Sequence, residues 1–367
     1  MDPIRLAIDV GPLHGHRTGV GAAVGELTAA FGNHDGVQLR PYVLSFRSRP
    51  APPTQRLPLP AALAHRLWSR ADRPRADRWL GDANVIHGTN YVVPPSRRAR
   101  VVSVYDCWFL THPEQASPAA RRAGEVLRRS VCAGATVHAS SAATAATVRE
   151  ALSTDRVVTV HLGPLSSSER PAGRPPHRWI EALDGAPLAL AVGTTERRKN
   201  LPALVDAFGR AATELGDVRL VLAGAAGDDE PAIDAAVDAL PAARRAMVVR
   251  PGPVDAATKA WLFRHAAVLA YPSLDEGFGF PILEAQSAGL AVVGTRAGSI
   301  PEIGGDGVEL VGVGDVDALA AALVRVLTDD LHREWLVAAG RVNVRRFSWA
   351  ATADGLVQCY RSLLDGA

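Results

Sequence analysis

The chain has 367 residues, 47% hydrophobic and 21% charged, with a net charge of +2. That composition excludes disordered and collagen-like classes, and the length suits two domains of about 150–180 residues, each with its own core. Cys107, Cys132 and Cys359 are scattered and form no CxxC pair, which argues against a disulfide framework or a structural zinc site.

The first predicted element is an apolar strand at 4–10, which the opening Met-Asp-Pro enters directly. No charged segment followed by an apolar one precedes it, so no signal peptide is read, and no apolar run approaches the roughly 18 residues of a membrane span. The expected localisation is cytoplasmic. Further strands are expected at 41–46, 85–87, 101–105, 135–139 and 157–161, with helices at 22–31 and 118–133. Strands alternating with helices predict a parallel, doubly wound sheet. Residues 164–186, rich in Pro, Ser and Arg, read as a linker between a front domain at 1–163 and a second alternation. That alternation runs strand 187–193, helix 201–215, strand 218–223, helix 231–239, strand 246–250, helix 255–265 and strand 267–271. It continues with helix 281–288, strand 290–294 and helix 315–328, so the back domain is placed at 187–349. Residues 350–365 read as a final helix. Two such domains flanking a cleft would bind ligands at the carboxyl ends of their strands.

Charge is unevenly spread. Residues 1–163 carry 20 Arg and no Lys against 12 acidic residues, a balance of +8, which leaves −6 for the remainder. A basic front half can attract a lipid phosphate or an anionic membrane surface, and it can equally be a solvated face. The tract at 60–80 sharpens the choice, mixing Leu63, Leu67 and Trp68 with Arg66, Arg70, Arg73, Arg75 and Arg78. It would lie on a membrane, or it is a solvated helix with Arg stems laid along its surface. Nucleic acid is not expected, because no recognition motif is present and only 5% of residues are aromatic.

The most informative segment runs from Pro272 to Ala285, with the sequence PSLDEGFGFPILEA. A buried strand ends in a glycine-rich turn, and Pro281 suits the start of a helix. Gly277 and Gly279 would let backbone N–H groups approach a pyrophosphate at the positive end of that helix. Glu276 and Glu284 lie eight residues apart, Glu284 being expected in the first helical turn, where acids are common for dipole reasons alone. Glu276 sits in the loop itself, suited to accepting hydrogen bonds from sugar hydroxyls.

This segment resembles the Glu-x7-Glu signature of retaining, family 4-type glycosyltransferases of the GT-B fold, written E-G-F-G-x-P-x-L-E-A. The resemblance implies that Glu284 holds the ribose hydroxyls of a nucleotide and that Glu276 contacts the transferred sugar. It also implies that Gly277, Phe278, Gly279 and Leu283 border the donor. Gly193-Thr194-Thr195-Glu196-Arg197-Arg198-Lys199-Asn200 is similar to the family's G-T-x-E-x-R-K-N stretch. By that likeness Gly193 and Thr194 approach the donor while Arg198 and Lys199 grip its phosphates. Pre-placed cations stabilise the charge that builds on a leaving diphosphate. Lys199 and Lys259 are the only two lysines, and a lysine in an arginine-rich chain suggests a need for a compact point charge. The alternative is a merely basic helix entrance.

The front half resembles the family more loosely. Arg17-Thr18-Gly19-Val20-Gly21 looks like its first glycine loop, placing Gly19 and Gly21 near the donor phosphate. Segments 86–91, 137–141 and 296–302 also look like family segments. Val102-Ser103-Val104-Tyr105-Asp106 departs from the pattern, since Tyr105 stands where many relatives carry a histidine. Tyrosine can donate a hydrogen bond but does not relay protons near neutral pH. Asp106 would orient an acceptor hydroxyl or draw its proton, or else it caps a turn at a strand end. Asp315-Val316-Asp317 reads as a helix cap rather than a metal-binding Asp-x-Asp.

The resemblance implies an α/β GT-B enzyme of two Rossmann-like domains, with 350–367 crossing back to the front domain. It implies metal-independent, retaining transfer of a hexosyl group from a nucleotide-diphosphate sugar, with no other cofactor. The G-T-x-E-x-R-K-N stretch points towards GDP-mannose. The acceptor is a glycan, a lipid-linked intermediate or a small molecule. Two further readings stay open: a catalytically silent nucleotide-sugar-binding relative, motivated by Tyr105, and a sugar-nucleotide epimerase of similar fold.

Overall fold

The computed structural model describes residues 2–14, 19–47, 50–165, 178–181, 183 and 185–366. The chain divides into two compact units, Met1–Gly163 with Phe347–Ala367, and Pro164–Arg346.

In chain order the first unit contains β1 (Ile4–Asp9), α1 (Gly19–Gly32), β2 (Val37–Leu44), β3 (Gln55–Leu57), α2 (Ala61–Trp68), β4 (Val85–Gly88) and β5 (Ala99–Val104). It continues with α3 (Trp108–Thr111), α4 (Pro118–Cys132), β6 (Thr136–Ala139), α5 (Ala142–Leu152) and β7 (Val157–Thr159). Its strands pair in parallel in the order β3-β2-β1-β4-β5-β6-β7. The order reverses direction between β1 and β4, which makes the carboxyl ends of those two strands a topological switch point. Val101, Val102 and Val104 of β5 are buried on both faces, as a strand covered by helices on each side requires. Ser117 starts α4 by accepting a 3.1 Å hydrogen bond from the Ala120 amide, with Pro118 as first helical residue.

The second unit holds α6 (Arg178–Glu181), β8 (Leu188–Val192), α7 (Leu201–Leu215), β9 (Arg219–Ala223), α8 (Glu230–Ala239), α9 (Ala242–Arg245) and β10 (Val248–Gly252). There follow α10 (Ala256–His265), β11 (Val268–Tyr271), α11 (Phe280–Ala288), β12 (Ala291–Thr295), α12 (Ile300–Gly304), β13 (Val308–Val311), α13 (Val316–Thr328) and α14 (Asp330–Val344). The sheet is again parallel, in the order β10-β9-β8-β11-β12-β13, with its switch point between β8 and β11. On α7, Leu201, Leu204, Val205, Phe208 and Ala211 are buried at helical spacing, each large side chain contributing about 1.5–3 kcal/mol. Asp315 accepts from the Ala318 amide at 2.9 Å and so caps α13. The chain ends in α15 (Trp349–Asp365), which packs on the first sheet, burying Leu356, Val357 and Tyr360 beside Ile4, Leu6 and Ile8.

Three expectations need correction. The first sheet gains β3, and β2 starts at Val37 rather than 41, carrying Pro41 within it. Little of 164–186 is a free linker in its described part, because Ile180 and Leu183 join the second unit's core; residues 166–177 lie outside the described residues. The 60–80 tract is not one amphipathic helix. Ala61–Trp68 is α-helical and Asp77–Trp79 a separate 3-10 turn; Trp68 is core, and its indole donates to the Pro74 carbonyl at 3.2 Å.

A buried polar chain joins α15 to the sheet. Tyr360 meets His87 Nδ1 at 2.6 Å, His87 Nε2 meets Ser103 at 2.8 Å, Ser103 meets His138 Nδ1 at 2.8 Å, and His138 Nε2 meets the Val160 carbonyl at 2.9 Å. One proton order satisfies every link: the Tyr360 hydroxyl donates to His87, His87 to Ser103, Ser103 to His138, and His138 to the carbonyl. Both imidazoles are then neutral, and an added proton breaks a link. Burial pushes His138 down from 6.5 to about 4 and His87 well below its usual value, the neighbouring His138 adding to the effect. The unfolded chain therefore takes up protons that the fold refuses, and stability falls as pH drops from about 6.5 to about 4. Asp9, raised by burial to about 6, opposes this between about 6 and 4. With two histidines set against one carboxyl, a net loss of stability is expected on acidification. Hydrogen exchange of β4–β6 amides between pH 7 and pH 4.5 checks it, and the slope should shrink in His138→Gln.

Candidate functional site

The second unit's switch point gathers most of the predicted residues. Gly193 and Thr194 follow β8, and Arg197–Lys199 form a single 3-10 turn before α7. Across the switch, β11 ends at Tyr271, and Pro272 to Gly279 make the loop before α11. Backbone ties fix the two segments together: the Leu274 amide donates to the Arg198 carbonyl at 2.7 Å.

Glu276 is the centre of this surface. Its Oε1 accepts from Lys199 Nζ and, at 2.7 Å, from Ser273; its Oε2 accepts from Arg198 at 3.0 Å. Lys199 also donates to the Tyr271 hydroxyl at 3.0 Å, with its ammonium 4.8 Å from that ring's centre. Arg198 further donates to Glu196 at 2.9 Å. Burial alone would raise the Glu276 carboxyl, but the Lys199 and Arg198 charges outweigh it and hold it at about 2. Burial pulls Lys199 below its usual value, with Glu276 opposing. Two cations thus converge on the Glu276 carboxylate at the strand ends, with Glu196 as a second partner of Arg198. A cavity bounded by Gly193, Thr194, Lys199, Tyr271 and Ser273 holds about 10 Å³, room for roughly one water.

The glycine-rich loop is shaped by its neighbours. Gly279, at φ +87°, precedes α11, which starts with no side-chain cap on its first amides. Gly298, at φ +47°, lies against the loop so closely that a β-carbon would fall 2.3 Å from the Glu276 carbonyl oxygen. The Ser299 amide donates to that same carbonyl at 2.9 Å. The 296–302 segment, singled out in the sequence for family likeness alone, is therefore the support under the Glu276 loop. Phe278 is buried, its ring 5.0 Å from that of Phe280, and Leu283 lies wholly in the core.

Glu284 departs from the sequence expectation. Helix α11 begins at Phe280, so Glu284 is one full turn in, beyond reach of the first-turn dipole argument. It is fully buried, and both carboxylate oxygens accept from Lys259 Nζ at 2.7 Å. Sequence reasoning gave Lys259, on α10, no role. The one signal was compositional: it is the second of two lysines.

In the first unit, Gly19 and Gly21 open α1, while Arg17 and Thr18 lie outside the described residues. Asp106 follows β5 and accepts from the Tyr91 hydroxyl at 2.9 Å. Tyr105 is buried; burial holds its hydroxyl protonated, and that hydroxyl meets Ser103 of the buried chain. It thus serves the interior rather than an open site. No group of three or more His, Cys, Asp or Glu that could hold a metal ion occurs among the described residues. No helix among them is long and apolar enough to cross a membrane.

Two parallel Rossmann-like sheets, one with cations and a carboxylate at its switch point, define a GT-B glycosyltransferase. Residues 186–329 match the family described as glycosyl transferases group 1. The chain is 30% identical over 302 residues to O-antigen chain mannosyltransferase B of Escherichia coli, covering 79% of this chain and 78% of that protein. It is 33% identical over 171 residues to a phosphatidyl-myo-inositol mannosyltransferase of Mycolicibacterium smegmatis, spanning 46% of this chain and 43% of that one. In fold it is similar to a sucrose-phosphate synthase from Thermosynechococcus elongatus, with TM-score 0.70 and 20% identity over 100% of both chains. The chain belongs to the group 1 glycosyl transferases.

Proposed function

We propose that this glycosyltransferase moves a mannosyl group from GDP-mannose to a hydroxyl of a glycan or lipid-linked acceptor, with retention of configuration and without a divalent ion. The observation that carries the reading is the Lys199–Glu276–Arg198 cluster at the second switch point. The mannosyl donor is suggested by the names of the two relatives.

In this reading the bond between C1 of the sugar and the diphosphate oxygen breaks, and its electron pair stays on the phosphate. Arg198, Lys199 and the amino end of α11 neutralise that charge, doing with fixed protein groups what a metal ion does elsewhere. Gly193, Thr194, Gly277, Phe278 and Gly279 border the donor, and Leu283 shapes the loop from within the core. Glu276, ionised throughout the physiological range, accepts hydrogen bonds from the sugar hydroxyls while it holds both cations in position. Glu284 takes the ribose hydroxyls, with Lys259 presenting its carboxylate. The acceptor oxygen bonds to C1 on the face the diphosphate leaves, and its proton passes to the departing phosphate oxygen.

A thermal-shift panel of GDP, UDP, ADP and dTDP in EDTA tests the donor. GDP at 100 times its dissociation constant should stabilise the protein by about 2.7 kcal/mol, with the other bases giving less. Equal responses from all four, or a response only when a divalent ion is added, would remove this reading.

A further inference from the structure

Helix α14 buries one face and carries an apolar stripe on the other. Inward, Leu336, Gly340 and Asn343 are buried, and Asn343 donates to Gln286 at 2.8 Å and to the Ile303 carbonyl at 2.7 Å. Packing there is close, since a β-carbon on Gly307 would fall 2.4 Å from the Gly340 α-carbon. Outward stand Leu331, 80% exposed, Trp335, 56% exposed, and Val342, 67% exposed, with Ala338 exposed between the last two. Leu331 and Val342 are the most exposed large apolar side chains among the described residues. The four positions follow at intervals of four, three and four, so they line up along one side of the helix, away from Gly340. A continuous apolar patch of this kind marks an interface, whereas scattered ones do not.

The stripe is complementary to itself. Laid antiparallel on a second α14, Leu331 falls opposite the partner's Val342 and Trp335 opposite the partner's Ala338, and the two-fold axis repeats both layers. In each layer a larger side chain meets a smaller one. The charges along one flank select the same register. Glu334 and Arg341 are exposed, one heptad apart, and neither forms an ion pair with a described residue of its own chain. In the antiparallel pair Glu334 of each copy faces the partner's Arg341. Trp335 is also held ready: its ring stacks beside His332 at 6.1 Å and 18°, and His332 is fixed by Glu309 at 2.6 Å.

We propose that two copies of this chain associate through α14 in an antiparallel, two-fold contact centred on Trp335 and Ala338. An anionic lipid surface would call for cations alone beside the stripe, whereas a glutamate and an arginine one heptad apart suit a second copy. Helix α14 borders the amino ends of β11 and β12, where Ala267 and Leu290 lie, so the contact leaves the Lys199–Glu276 cluster at the carboxyl ends open. One helix pair is a small interface, and the dimer is expected to form at about 10 µM rather than to be permanent.

Sedimentation velocity of the full chain from about 1 to 200 µM, a range that brackets this affinity, tests the contact. The parent should pass from monomer to dimer. Glu334→Arg and Arg341→Glu should each weaken the dimer about tenfold, because two ion pairs become two like-charge contacts. An equimolar mixture of these two variants should dimerise like the parent, since each supplies the charge the other lacks. Only direct pairing of the two positions gives that rescue; a structural role for either side chain would not. Trp335→Ala should weaken the dimer about a hundredfold, two central anchors being lost at once. The proposal is overturned if the parent stays monomeric at the top of the range, if the mixture fails to recover, or if Trp335→Ala dimerises like the parent. Flotation with phosphatidylglycerol vesicles that depends on Trp335, with no dimer in solution, would assign the face to a membrane and overturn it as well.

Discussion

Lys199→Ala is expected to lower turnover by about 10²–10³, the cost of removing one preorganised charge from a departing group. The fold should survive, because Glu276 keeps Arg198 at 3.0 Å and Ser273 at 2.7 Å and so is not left as a buried charge without a partner. A loss of about 1–3 kcal/mol in stability is expected from the missing bonds to Glu276 and Tyr271. Lys199→Arg should not restore the rate. The ammonium sits 4.8 Å from the Tyr271 ring centre in a buried corner, and a planar guanidinium needs more room and a different fork of acceptors. Glu276→Ala acts differently, removing the carboxylate shared by Lys199 and Arg198 together with its sugar contact and leaving Glu196 as the counter-charge of Arg198. Steady-state product formation with denaturant unfolding on the same variants checks both effects.

The second large effect is expected at a residue outside the donor motifs. Lys259→Ala strips Glu284 of a partner that engages both its oxygens, and that carboxylate is 1% exposed at its side chain. Removing one member of a buried ion pair costs about 3–5 kcal/mol, and the lower end applies because Lys259 remains 23% exposed. The variant should also bind nucleotide more weakly, by about tenfold or more, since the carboxyl then protonates or turns away from a ribose. The double variant Lys259→Met with Glu284→Gln separates the effects: stability should largely return, because the buried carboxylate is removed together with its lysine, while nucleotide affinity should not. Calorimetric GDP binding and urea unfolding of the single and double variants measure this. Recovery of affinity together with stability would show Glu284 to be structural.

Much of this was legible in the sequence where a single local cause dominates. Helix α7 lies at 201–215 as its apolar spacing predicts, and the two motif segments, 193–200 and 272–285, flank one switch point because each follows a core strand directly. Elements whose cause is tertiary were not legible. Strand β2 begins at Val37, four residues ahead of the expected start at 41, because β1 offers a complete parallel edge from Ile4 onward. Helix α14 was missed because Leu331, Trp335 and Val342 stay exposed, which blurs the apolar period. In the site, Lys259 and Glu284 are 25 residues apart on adjacent helices, and only packing brings them together. Tyr105 illustrates the converse, a residue that drew attention by family pattern and proves to anchor buried polar groups.

The central claim is that Lys199 and Arg198 act on the leaving diphosphate rather than merely holding the donor. Its most direct test is to compare, in Lys199→Ala, the loss in single-turnover rate with the loss in donor affinity. The account predicts a rate loss of about 10² or more with affinity reduced no more than about tenfold. Affinity and rate falling together, or affinity falling alone with the chemical step unchanged, would contradict it.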